Sequence, residues 1–175
     1  FTTWLEVREP AEFAISREVF PEFTPKLAAA MVEETDRYLK AVLAGPAPML
    51  ADITEGQASF VSEALAPIYG VKPADPMGGR TTALDPGQRL GVFTQAAVIA
   101  SHSGPTNTRL VKRGTFWARK VMCMPFGAPP KDVHEDQYGT LVTTERHRIE
   151  KATRPGACMG CHKSINPFAY MLESY

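Results

Sequence analysis

Between residues 24 and 45, in TPKLAAAMVEETDRYLKAVLAG, the apolar side chains Leu27, Met31, Tyr38 and Val42 fall at helical spacing. That spacing gathers them on one face of an α-helix, which turns once every 3.6 residues. Thr24 stands where a capping hydroxyl belongs, Pro25 at the first helical position and Gly45 just past the end. The pattern predicts a long amphipathic helix. DITEGQASFVSEALAPIYG opens on Asp52 with Glu55 three residues on, the spacing of a capping box, and closes on Gly70. It predicts a second helix, kinked or ended early by Pro67.

Residues 71–84 read as loop, with two prolines and two glycines in PADPMGG. In LDPGQRLGVFTQAAVIASHSGP, Asp85, Pro86 and Gln88 supply cap, first-turn and box signals, predicting a helix to about Ala100. TRLVKRGTFWARKVM predicts a fourth helix with Val111, Trp117 and Val121 turned inward. Within it, Gly114 marks the close approach of another backbone. Pro125 to Gly139 reads as a proline-rich loop, and TTERHRIEKAT as a short polar helix leading through Pro155 to CMGCHKSINP. Sustained strand alternation is missing, TLVTT being a short candidate. The expected fold class is mainly α with long Pro/Gly-rich loops, divided into a helical module over 1–84 and a second over 85–175, packed separately or together.

Composition narrows the function. The 175 residues are 44% hydrophobic and 22% charged, as in a folded globular chain. Nineteen basic and nineteen acidic residues cancel, which argues against a nucleic-acid partner, since that needs a basic stripe. No apolar run reaches the roughly 18 residues of a transmembrane segment. No charged start, apolar stretch and cleavage site follow Phe1, so the sequence reads as a mature chain or a piece of a larger protein.

Chemistry concentrates near the C-terminus. Three cysteines are too awkward a number for a disulfide framework, and two of them form the pair Cys158–Cys161, with His162 next. Random placement of three Cys and four His would give roughly 0.001 matches to C-x-x-C-H. A structural zinc site would need further ligands recruited singly from Cys123, His134 and His147. A thioredoxin-type dithiol wants a strand before the pair, and here a polar helix and a proline precede it. Covalent haem accounts for each element. Thiols three positions apart lie on one side of a helical turn, where they can add to two vinyl groups, and the adjacent imidazole supplies the proximal iron ligand. Met159 and Gly160 leave that turn unstrained. Ile165, Phe168, Tyr170 and Leu172 then read as pocket walls, or as plain core.

The opposite face of the iron separates an electron carrier from a catalyst. Met159 and Met171 sit too close to the proximal turn, leaving His102, His134, His147, Met31, Met49, Met77, Met122 and Met124. His102, where a helix meets a loop, is the first choice for the distal ligand, and reads equally as a histidine at a helix C-terminus. Met122 and Met124 are the alternatives, and read more readily as flexible core fillers. His134 and His147 read as surface residues, as do the carboxylates of VEET and HED. Cys123 reads as a buried free thiol or as the partner of a cysteine elsewhere. No Ser-His-Asp order, phosphate loop or His-x-x-x-His pair supports a hydrolase.

RLGVFTQAAVIASHSGPTNTRLVKRGTFWARKVMCMP, the proline-rich loop, and TTERHRIEKATRPGACMGCHKSINPFAYMLESY together resemble a known group. They are similar to the C-terminal half of large exported bacterial proteins of unknown function with a cytochrome-c-like C-x-x-C-H motif. FPEFTPKLAAAMVEETDRYLKAVLAG and FVSEALAPIYGV resemble the module before it. The group shows an Arg-Gly helix, matched by Arg113 and Gly114, and a C-x-G-C-H-x-x-I-x-P ending. This chain departs from it at Asn166, where Asp is usual, and at Ala169, where Gly is common. The resemblance implies an exported haem protein and no particular reaction.

The sequence therefore leads to the expectation of a c-type cytochrome module: one covalent haem c on Cys158 and Cys161, iron bound by His162, and single-electron transfer. The alternatives are a peroxidase- or oxygenase-like haem enzyme and a haem-stapled structural or binding module. Haem of this kind is attached after export, so the expected location is the periplasm or the cell surface. The expected partner is a redox protein or the remainder of the same polypeptide.

Overall fold

The computed structural model describes residues 1–127, 144–154 and 156–175. His134, nearly all of TLVTT and most of the proline-rich loop lie outside them. Among the described residues the fold is mainly α, and the sheet is one two-stranded antiparallel ladder. The chain forms two compact units, Phe1–Thr106 and Asn107–Tyr175.

That division differs from the one expected at 84/85. Residues 85–106 stay with the first unit because Ala96 and Ala97 enter the same core as Leu27, Ala28 and Met31, with Leu84 and Ala100 packed against it. The segment 71–84, read as loop, ends in a short strand, Thr82–Ala83.

The first unit is built on helix α1, Pro25–Leu43, in which Thr24 Oγ1 accepts from the Leu27 amide at 3.2 Å as its sequence predicts. Its inner face buries Leu27, Ala28, Met31, Tyr38 and Leu39. The second predicted helix does not form as one piece. It divides into α2 (Leu50–Thr54), β1 (Ala58–Ser59) and α3 (Ala66–Tyr69). Tyr38 of α1 closes over this break, its hydroxyl donating to the Asp52 carbonyl at 2.7 Å, and a Cβ on Gly56 would collide with that hydroxyl. Asp52 lies inside α2, accepting from the Met49 amide at 2.8 Å, and is not the cap residue. Pro67 sits in the first turn of α3, and Gly70 ends it at φ 63°, where a left-handed residue is needed. β1 pairs with β2, Thr82–Ala83, through Ala58↔Ala83 and Ser59↔Thr82.

The third predicted helix survives only in its second half. Asp85 caps a turn, its Oδ1 accepting from the Gly87 amide at 2.9 Å. The chain then reverses at Gly91, with φ 54°, where a Cβ would collide with the Thr54 backbone. A short 3₁₀ turn, Val92–Thr94, leads into α4, Ala96–Ser101.

In the second unit, α5 (Leu110–Phe116) runs straight into a π-helical turn, Trp117–Val121. α6 spans Glu145–Thr153, capped by Thr144 Oγ1 accepting from the His147 amide at 3.2 Å, and α7 spans Gly156–Met171. Gly114 does mark a close approach: a Cβ there would lie 2.6 Å from the Ile165 carbonyl oxygen and 2.9 Å from the Ala169 Cβ. The inward face differs from the expected one. Leu110, Arg113, Gly114, Phe116 and Ala118 are buried, while Val111, Trp117 and Val121 are half-buried. The helix turns its glycine toward α7, and the π turn shifts the register after Phe116. Trp117 stacks on Phe168 with centroids 6.4 Å apart and planes 5° from parallel. No helix among the described residues is long and apolar enough to cross a membrane.

Candidate functional site

α7 carries the whole cysteine–histidine motif in its first two turns. Cys158, His162, Ile165, Ala169 and Leu172 step by four, three, four and three residues, so they share one helical face, with Cys161 beside them. Along the C-terminal part of that face, Ile165, Ala169 and Leu172 are buried, and Ala169 packs with Leu110 of α5 and Ile149 of α6. One turn earlier the cover stops. Cys158 and His162 are half-buried, Cys161 is exposed, and both thiols are free. A core-facing stripe thus runs out into two reduced thiols and an imidazole.

The imidazole is anchored from one side. His162 Nδ1 lies 2.9 Å from Asn166 Oδ1, one turn along α7. Asn166 Nδ2 donates to Thr153 Oγ1 of α6 at 3.2 Å, and Thr153 Oγ1 donates to the Ile149 carbonyl at 2.8 Å. Among the described residues no group of three or more His, Cys, Asp or Glu side chains is arranged to hold a metal ion. The donor set fits haem: one half-buried and one exposed thiol and one imidazole on one face, the imidazole held through Nδ1.

The expected pocket walls divide in role. Ile165 and Leu172 belong to the helix interface, Phe168 stacks on Trp117, and Tyr170 is half-buried beneath the Arg146 guanidinium, 4.5 Å from its ring centre.

The distal candidates fall in different places. His102 is buried inside the first unit, 3% exposed, with Nε2 3.0 Å from the Leu5 carbonyl oxygen. A carbonyl only accepts, so that nitrogen carries the proton and is engaged by the chain itself. Met31 is in the first unit's core, and Met49 and Met77 are exposed on that unit. Met122 and Met124 belong to the motif's own unit, exposed and half-buried respectively, where the π turn ends. His147 is exposed on α6, as expected. Cys123, between the two methionines, is an exposed free thiol at φ 52°, contrary to its reading as buried; the left-handed backbone turns it outward.

Two buried charged residues escaped the sequence reading. Glu34, expected at the surface as part of VEET, is 1% exposed, and its two oxygens accept from Ser59 Oγ and Tyr69 Oη, each at 2.6 Å. Gln95 Nε2 in turn donates to Ser59 Oγ at 3.2 Å, and the Ala96 amide donates to Tyr69 Oη at 2.9 Å. Burial pushes the Glu34 carboxyl up to about 7, against the opposing pull of the two hydroxyls and Arg89. The signal was present: Glu34 follows Leu27 and Met31 and precedes Tyr38 on the same helical stripe. Arg113 is the other. It is 2% exposed, donates to the Leu172 and Tyr175 carbonyls at 2.7 Å each, and is lowered by burial to about 10.

These features define a mainly helical chain whose second unit presents a C-x-x-C-H helix. Residues 89–175 match the family model PSCyt3, described as Protein of unknown function (DUF1588). Residues 1–71 match PSD4, Protein of unknown function (DUF1592). The chain is thus similar along most of its length to families of unknown function, and the first match begins inside the first structural unit, before α4. No curated protein and no solved structure matches it.

Proposed function

We propose that this chain is a c-type cytochrome module, with one haem joined to Cys158 and Cys161, its iron bound by His162, passing single electrons in an exported protein. The observation that carries the reading is the partly exposed stripe of α7, where a face buried at Ile165 and Ala169 continues into two free thiols and a half-buried imidazole. An apolar macrocycle laid there would extend the core by one layer. From the chain, attachment would draw on the two thiols in reduced form: each S–H would add across a vinyl C=C, sulfur to one carbon and hydrogen to the other, so no atom leaves and no electron is transferred. The bound group would supply a one-electron couple. The chain's share is to hold the thiols one turn apart, aim Nε2, and exclude water with Trp117 and Phe168. The name of the family matched by residues 89–175, PSCyt3, is in keeping with this.

The test is to express the chain with an export signal in a host carrying haem-attachment machinery. The expected result is a coloured protein heavier by one haem, a mass gain mapping to the peptide over 158–162 and lost in Cys158→Ala/Cys161→Ala. A colourless product at the polypeptide mass overturns the reading. Carbon monoxide added to the reduced protein distinguishes carrier from catalyst: an unchanged spectrum marks two protein ligands and electron transfer, and rapid binding marks an open face and the enzyme alternative.

A further inference from the structure

We propose that Asn166 and Thr153 are positioning residues for His162, forming with the Ile149 carbonyl a chain that places the ring proton on Nδ1 and the lone pair on Nε2. The inference rests on the reading of His162 as an iron ligand and deepens it.

The polarity of every link follows from the first. A backbone carbonyl can only accept, so the Thr153 hydroxyl spends its single hydrogen on Ile149. Thr153 Oγ1 can then only accept from the neighbour 3.2 Å away, which must be the amide nitrogen of Asn166. With its NH₂ held toward α6, the carboxamide turns its oxygen to His162. An amide oxygen only accepts, so the Nδ1 at 2.9 Å carries the hydrogen and Nε2 is the bare nitrogen. Asn166 and Thr153 are both buried, so water does not readily replace either partner.

The consequence is twofold. A metal-binding imidazole presents whichever nitrogen its other hydrogen bond leaves unprotonated, and an acceptor on the far nitrogen raises the ring's basicity. A ring held this way meets a metal with no tautomer change and favours the oxidised iron. The device also ties α6 to the ligand: a hydroxyl at Thr153, nine residues before His162 and on another helix, decides which way the Asn166 amide faces.

The experiment has two arms on the full chain. In the first, the haem-free protein is labelled with ¹⁵N and the His162 ring is observed at alkaline pH. The Nδ1–H form is expected to predominate in the wild type, to fall to a minority in Thr153→Val and Asn166→Leu, and to return in Thr153→Ser. In the second arm, the haem-bearing protein is titrated electrochemically. Both disrupting variants should show a more positive potential at unchanged haem content, and Thr153→Ser should restore it. A wild-type ring protonated on Nε2, or a Thr153→Val protein with the same tautomer and potential as wild type, overturns the proposal. Failure of haem to attach to the wild type would instead overturn the reading of the motif, and the first arm would still decide the tautomer. Thr153→Val is close to isosteric, and helical circular dichroism confirms that each variant is folded.

Discussion

Glu34 is a carboxyl group held away from water by the core of the first unit, facing Ser59, Tyr69 and, beyond them, Gln95 and Arg89. Its ordinary value of 4.5 rises to about 7 in the fold. Between those values the folded chain keeps a proton that the unfolded chain has released. Stability from this group is therefore fully present below pH 4.5 and lost as pH rises to about 7, by up to about 3 kcal/mol. Urea unfolding followed from pH 5 to pH 8 should show that decline, and Glu34→Gln should flatten it. A stability that climbs through the same window would refute the assignment. Arg113 shows the complementary case, a buried cation answered by carbonyls. Replacing it with Met leaves the Leu172 and Tyr175 oxygens without their donor, and should cost about 2–3 kcal/mol in chemical denaturation of the second unit.

At the scale of the element, the decisive contact is α5 against α7. Gly114 lets the two backbones approach until Ile165 and Ala169 touch the helix where a side chain would stand. Gly114→Ala must push them apart, since the nearest atom is a backbone carbonyl that cannot rotate away. We expect a loss of about 1–3 kcal/mol, seen as a lower thermal midpoint and, under the proposed function, as a reduced haem yield when α7 shifts. The same element scale explains why two predicted helices broke. Each carried sound local signals, but Gly56 and Gly91 lie where Tyr38 and the Thr54 backbone come close enough to forbid a side chain. In α7 the local and tertiary requirements agree, and the motif stays helical.

For the whole molecule, the neutral total conceals two charged halves. Residues 1–106 hold eight basic and thirteen acidic side chains, and residues 107–175 eleven basic and six acidic, for net charges of −5 and +5. The unit bearing the motif is the positive one. Under the proposed function, small anionic oxidants should react faster than cationic ones of similar driving force at low ionic strength, and added salt should erase the difference. Stopped-flow rates at two salt concentrations check this, and a faster cationic reagent would count against it.

The sequence alone was enough for the features whose causes lie within a turn or two of chain. These include the Thr24 cap of α1, the left-handed stop at Gly70, the small residue at Gly114, and the placing of two thiols and an imidazole in successive helical turns. Such features depend on neighbours three or four residues away, and a linear pattern records them. Tertiary structure alone decided the pairing of Ser59 with Thr82, the interruption of two helices, the burial of Glu34 beneath Tyr69, the outward turn of Cys123, and the junction of Thr153 with Asn166. Each depends on groups brought together from distant parts of the chain or on how neighbouring segments pack. Hydrogen bonds and collisions there arise only once the helices have docked, and no local periodicity carries that information.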